Sequence, residues 1–252
     1  MGRGHREDEG STPVNFKTGS KNLDRLIQGG YPGGAITTIM GEVGTGRTTL
    51  ALSASIVAAR QRRKILYLDC EGGITRDTTF NLGLGQDLFH LLNPTSVEDC
   101  LKTALSGVST TDANLIVLDS PNILGSSRGS VASVSGMLTN WMPKALRALE
   151  DRPDTMILIG WQLRRAVTKK SANFGEPLAL GHGASVSLLL ERLEEDGISV
   201  KVTKDVRDIV HAEPPSCIIR FTGKGLFEDI RVSSEPIDRN RIPSRFDRDD
   251  VI

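Results

Sequence analysis

The chain carries no net charge: 31 Lys and Arg balance 31 Asp and Glu over 252 residues. This excludes a bulk basic coat for nucleic acid and leaves only a local basic patch open. No long apolar run is present. The longest stretch without a charged residue, 26–41, contains Gly, Pro, Gln and Thr, whereas a membrane-spanning helix needs roughly 20 mostly apolar residues. The opening MGRGHREDEGSTP has no apolar segment, so no signal peptide is expected. Cysteine is scarce and odd in number: Cys70, Cys100 and Cys217. None lies within metal-ligand spacing of another, and the three read as small core hydrophobes in a reducing cytoplasm. No internal repeat or low-complexity segment is visible.

What is present is ordinary for a globular protein. Apolar residues make up 38%, and 26 glycines raise the share to about 48%. The length suits one large domain, or a core domain with tails. Residues 1–13 and 231–252 are polar and are expected as flexible tails around a core over 14–230.

Buried-strand patterns are expected at Ala35–Met40, Lys64–Asp69, Asn114–Asp119 and Thr155–Trp161, with a shorter one at Leu88–Leu92. Between them lie helical stretches at Thr48–Arg60 and Arg76–Gly83. A third helix, running to about Ser106, has Ser96 and Asp99 as a capping box. Ser20 is placed to cap a helix over Lys21–Ile27, closed by Gly29 and Gly30. Ser120–Ser135 reads as a Ser/Gly-rich loop before a helix ending near Glu150. After a polar loop at 163–181, three strand-like runs follow with short connections: Ala184–Arg192, Gly197–Lys204 and Ser216–Thr222. Alternating strands and helices followed by consecutive strands imply an α/β fold. Its sheet is mostly parallel, flanked by helices, with antiparallel strands at the C-terminal edge.

Gly41-Glu42-Val43-Gly44-Thr45-Gly46-Arg47-Thr48 follows a strand and opens a helix. This is P-loop spacing, with Arg47 where Lys is usual. Glycines let backbone N–H groups turn inward around phosphate oxygens, and the helix N-terminus adds partial positive charge. Thr48 offers a hydroxyl to Mg²⁺, and Thr49 follows it in the same turn. Asp119 ends a buried strand, where an aspartate orients Mg²⁺ and its water. Glu71, just past the preceding strand, is placed to orient or deprotonate an attacking water.

These residues together resemble the core of the RecA/RadA recombinases. The likeness begins at FKTGSKNLDRLIQGGYPGGAITTIMGEVGTGRTTLAL and continues through ILYLDCEGG, NLIVLDS, ILIGWQLRR, ALGHGASVSLLLERL, ISVKVTKDV and IIRFTGKGLFED, over roughly 14–230. The resemblance implies a RecA-like P-loop ATPase core using ATP and Mg²⁺. Glu71 matches the catalytic glutamate and Asp119 the Walker-B aspartate. Gln162 matches the glutamine that links the γ-phosphate to a DNA-binding loop. The family usually has Asn before it; here it is Trp161. His182 and Lys204 resemble residues that reach a neighbouring subunit's nucleotide. The family's second lysine falls on Val206, beside Arg207. Where bacterial members stack a tyrosine on adenine this chain has Thr78, and Arg76 could lay its guanidinium plane on the base instead.

The resemblance also implies single-stranded DNA contacts in two loops, about Pro121–Ser135 and Leu163–Gly181. The second carries Arg164, Arg165, Lys169 and Lys170, with Phe174 as a stacking face; the first carries Arg128. Arg47 keeps the charge of the usual lysine on a bulkier fork, so ATP binding with slow hydrolysis is expected. The implied role is a DNA-dependent ATPase acting in recombination or repair, cytoplasmic (nucleoid-associated if bacterial, in the host cytoplasm if viral) and homo-oligomeric as a filament or ring. The alternatives are a paralogue or mediator that holds ATP and works with another recombinase, and a RecA-type helicase or signalling ATPase. By the resemblance, a minimal core is expected, without the N-terminal arm or domain and the C-terminal domain of the larger members.

Overall fold

The computed structural model describes residues 14–126, 131–163, 177–193, 197–207, 214–222 and 227–233. It opens with a two-stranded antiparallel pair, β1 (Asn15–Phe16) and β2 (Tyr31–Pro32), around helix α1 (Lys21–Leu26). Next come β3 (Ala35–Gly41), α2 (Arg47–Arg60), β4 (Ile65–Asp69), α3 (Arg76–Asn81), β5 (Phe89–Leu92), α4 (Val97–Thr110) and β6 (Leu115–Asp119). Then follow α5 (Pro121–Ser126), α6 (Val131–Glu150), β7 (Met156–Gln162), α7 (Leu178–Gly183), β8 (Val186–Arg192), β9 (Ile198–Asp205), β10 (Ser216–Phe221) and β11 (Phe227–Ser233).

Nine of these strands form one sheet in the order β11-β10-β9-β8-β3-β7-β6-β4-β5. From β8 to β5 every pairing is parallel. From β8 outward through β9, β10 and β11 every pairing is antiparallel. This is the expected α/β architecture with an antiparallel C-terminal edge. Every residue of β3, β4, β6 and β7 is buried, because helices cover both faces of the parallel part; that is why these strands read as unbroken apolar runs.

The sheet divides the core in two. On one side Leu50, Ala54 and Ile56 of α2 and Leu23 of α1 pack on Ile39, Tyr67, Val117, Leu158 and Leu188. On the other, Cys100, Ala104, Leu138, Trp141 and Leu149 of α4 and α6 pack on Ile36, Leu68, Ile116, Ile159 and Trp161. The two capping serines act as the sequence implies. Ser20 Oγ accepts from Leu23 N–H at 3.0 Å and Ser96 Oγ from Asp99 N–H at 3.1 Å.

Three features differ from the sequence reading. Ser120–Ser135 is not one loop: α5 starts at Pro121 and α6 at Val131. Proline at the first helical position presets the backbone for a helix, which the serines and glycine after it obscure in the sequence. The expected loop at 163–181 gives way to α7 from Leu178, whose end is held by contacts distant in sequence. β11 extends the sheet to Ser233, three residues beyond the expected boundary of the core.

Candidate functional site

The P-loop leaves β3 at Gly41, in register with Gln162 on β7 and Leu190 on β8. Gly44 (φ 77°) and Gly46 (φ 85°) take the left-handed region that side chains resist. A Cβ at Gly41 would lie 2.3 Å from Thr45 Oγ1. Thr45 ties the turn internally, its Oγ1 donating to the Glu42 carbonyl at 2.8 Å, and Val43 is exposed at the tip. Gly46 is the N-cap of α2 and gives it no side-chain cap. Among the described residues, the N–H groups of Val43, Gly44, Gly46, Arg47 and Thr48 find no acceptor. Unsatisfied N–H groups at a helix N-terminus suit an anion such as a triphosphate. Thr48 and Thr49 sit half-buried in the first turn.

Arg47 is buried, 6% exposed. Its Nη1 donates to Ser120 Oγ, and its Nη2 lies 3.5 Å from Glu71 Oε1. Ser120 Oγ in turn donates to Asp119 Oδ1 at 3.1 Å, while Tyr67 donates its phenol to Asp119 Oδ2 at 2.7 Å. Burial, followed by the charge of Asp119 and the hydrogen bond to it, pushes the Tyr67 hydroxyl well above its usual range, so it remains a donor. Asp119 is 1% exposed. Gly160 makes room for the group, since a Cβ there would lie 2.9 Å from Asp119 Oδ1 and 3.1 Å from Ser120 Oγ. Hard oxygen donors, one hydroxyl and one buried carboxylate, are what Mg²⁺ accepts. The site therefore fits a Mg²⁺-nucleotide held by Thr48 and, through water, Asp119.

Asp69 shapes the turn that carries Glu71. Its Oδ1 accepts from the N–H groups of Glu71 (3.1 Å) and Gly72 (2.9 Å), and its Oδ2 from Ile74 N–H at 2.8 Å. Asp69 is level with Asp119 on the adjoining strand, yet it is used up by the backbone and serves as scaffold. Cys70 N–H donates to the Asp119 carbonyl at 2.7 Å.

Gln162 is brought beside the loop, with Leu163 N–H donating to the Gly41 carbonyl at 2.8 Å. Asn122 of α5 clamps its backbone: the amide donates to the Gln162 carbonyl at 2.8 Å and accepts from Gln162 N–H at 3.2 Å. Trp161, in place of the family's asparagine, is fully buried and its indole N–H has no acceptor among the described residues. The asparagine amide at this strand end thus comes from another element.

Sequence reading missed Tyr67, Ser120, Asn122 and Phe221. A Cβ at Gly46 would lie 2.0 Å from Phe221 Cε2, so this ring from β10 covers the start of α2. Only the sheet order brings residue 221 to residue 46. Arg76, the expected base contact, is exposed at the start of α3, a helix with no buried residue.

His182 and Lys204 lie at the opposite edge of the sheet. Ser185 N–H bonds the Ile36 carbonyl, five residues before Gly41, or about 16 Å of strand. Lys204 braces the end of α7, donating to the carbonyls of Gly181 (2.8 Å) and His182 (3.1 Å). Arg207 is engaged within the chain, bonding Asp205 and the carbonyls of Ile27 and Gly30. Arg128, Arg164, Arg165, Lys169, Lys170 and Phe174 lie outside the described residues. Among the described residues no helix is long and apolar enough to cross a membrane.

A model of the RecA N-terminal domain matches residues 4–188. The DNA repair protein RadA of Mycolicibacterium smegmatis is 30% identical over 183 residues, covering 70% of this chain and 37% of that protein. Protein RecA of a Nocardioides species is 33% identical over 203 residues, 74% of this chain and 57% of that protein. RadB of Thermococcus kodakarensis is 26% identical over 228 residues, 85% of this chain and 99% of that protein. The crystal structure of a RadB recombinase superposes with a TM-score of 0.66 at 21% identity, covering 86% of this chain and all of that one. The chain spans less than two thirds of these RadA and RecA relatives and nearly the whole length of RadB. With a phosphate loop and a strand-end glutamine in register, a strand-end aspartate at the same edge of the sheet, and a family model matching most of its length, the chain belongs to the RecA/RadA recombinase family.

Proposed function

We propose that this chain is a RecA-type ATPase that binds single-stranded DNA under nucleotide control, in homologous recombination or repair. One observation carries the reading. Unsatisfied loop N–H groups, Thr48, Asp119, Glu71 and Gln162 converge at the carboxyl edge of one parallel sheet, the edge where such folds bind ligands. The loop backbone and Arg47 hold the phosphates, and Phe221 borders them beside Gly46. Thr48 and Asp119 would hold Mg²⁺, which when bound would supply neutralisation of the phosphate charge. Glu71 orients the attacking water. Gln162, at the root of 163–181, relays nucleotide state to the basic segment that carries Arg164, Arg165, Lys169 and Lys170.

His182 and Lys204 lie too far from their own loop to serve it, so any nucleotide they touch belongs to a neighbour in a homo-oligomer. A second reading has a specific observation behind it. Glu71 is paired with Arg47, so the chain would hold ATP with little turnover and act as a mediator beside another recombinase.

Single-stranded DNA binding by fluorescence anisotropy, without nucleotide, with ATP and with ADP, at two salt concentrations, tests the proposal. ATP tightens binding and salt weakens it. Replacing the four loop cations abolishes most of the affinity. Binding indifferent to both nucleotide and these cations overturns it.

A further inference from the structure

Tyr67 lies in the ILYLDCEGG segment with no role assigned to it there, yet its hydroxyl touches the one buried carboxylate of the nucleotide edge, among the described residues, that the turn does not consume. The phenol is fully buried on β4, two residues before Asp69. Its ring packs against Phe89 of β5, centroid to centroid 5.6 Å and tilted 41°, so the position of the hydroxyl is set by the core. The other donor to Asp119 is different. Ser120 Oγ also accepts from Arg47, so its orientation is tied to a side chain of the P-loop itself. Tyr67 is thus the donor to Asp119 whose own position does not depend on what the site holds.

We infer that Tyr67 is the positioning residue for Asp119: by holding Oδ2 it stops the carboxylate rotating and keeps Oδ1 turned to the water shell of the bound cation. This rests on the ATPase reading above. A carboxylate with one oxygen anchored loses little freedom when the cation arrives, whereas an unanchored one must be ordered at that moment. Without the phenol, Oδ2 becomes a buried acceptor with no donor, and Asp119 turns toward whatever hydrogen it can reach.

The test is Mn²⁺ binding to the protein–ATP complex, read by electron paramagnetic resonance, for the natural chain and Tyr67→Phe. Outer-shell partners of metal ligands are worth about 10–100-fold in metal affinity, so Mn²⁺ binding weakens at least about tenfold. ATP affinity in EDTA stays within about twofold. Leu68→Val, on the same strand but facing the other core, lowers thermal stability without changing Mn²⁺ affinity. Equal Mn²⁺ affinity in Tyr67→Phe and the natural chain, with ATP bound to both, overturns this inference alone. No ATP binding to the natural chain overturns the ATPase reading and this inference with it.

If Tyr67→Phe does not fold, 3-fluorotyrosine labelling of the natural chain decides. The sequence has two tyrosines, and Mn²⁺-ATP broadens the ¹⁹F resonance of Tyr67, whose hydroxyl is bonded to Asp119, far more than that of Tyr31. A Tyr67 resonance as sharp as that of Tyr31 overturns the inference.

Discussion

The Arg47 guanidinium stands 3.5 Å from the Glu71 carboxylate while its other nitrogen donates to Ser120. One side chain from the P-loop thus bridges two strand ends. A planar fork presents separate nitrogens to the two partners in fixed directions, whereas a lysine ammonium is a single point of charge on a shorter side chain. Glu71 is partly open to solvent, 35% exposed, so this pair acts through geometry more than through stored energy. Arg47→Lys therefore raises ATP turnover in the presence of single-stranded DNA by about tenfold, as befits freeing a general base. Phosphate release is the measurement, and an unchanged rate counts against the arginine as the brake.

Glu71→Gln separates binding from turnover. The amide keeps the shape and loses the base, so hydrolysis falls by a factor on the order of 10² or more. ATP affinity by calorimetry stays within a fewfold, because the loop backbone supplies the phosphate contacts.

Gly46→Ala strikes the loop twice. The position is left-handed (φ 85°), costing about 1–2 kcal/mol with a side chain, and the new methyl meets the Phe221 ring. Nucleotide binding is lost while the remaining core stays folded. Phe221→Ala in the same background relieves only the second conflict, and binding returns only in part.

Arg207 is a structural clamp. It bonds Asp205, whose side chain is 2% exposed, and two carbonyls of the α1–β2 connection. Arg207→Ala leaves a buried carboxylate unpaired and costs about 3–5 kcal/mol. Urea unfolding reads the loss; a change under 1 kcal/mol would show that water replaces the arginine.

Alkaline pH lowers stability in a set direction. Burial, followed by the charges of Asp24 and Cys217, holds the Tyr31 hydroxyl well above the usual phenol range. In the unfolded chain that phenol ionises near 10, so above this the unfolded state binds fewer protons than the native one. Stability is complete below pH 10 and falls as pH rises beyond it. Tyr31→Phe makes that decline shallower, leaving the part due to the likewise buried Tyr67, in urea melts run from pH 8.5 to 11.

The strand order of chemistry was legible early. Continuous apolar runs ending in Asp69, Asp119 and Gln162 announce buried parallel strands, and the spacing of Gly41, Gly44, Gly46 and Thr48 announces a phosphate loop, because both are local patterns of backbone and burial. α5 was not legible, since a proline start outweighs the glycine and serines that suggest a loop. Nor was the role of Asp69, because the hydrogen bonds it accepts from the N–H groups of Gly72 and Ile74 depend on how the chain turns after β4.

By itself, then, the chain of residues determined which groups could carry phosphate and metal chemistry, because those demands are met within a few neighbouring residues. The tertiary structure alone decided that Arg47 meets Glu71, that Tyr67 and Ser120 hold Asp119, that Asn122 clamps Gln162, and that Phe221 covers Gly46. Each of these contacts joins residues from different strands or helices, and only the sheet order, set by burial of both its faces, brings them within bonding distance.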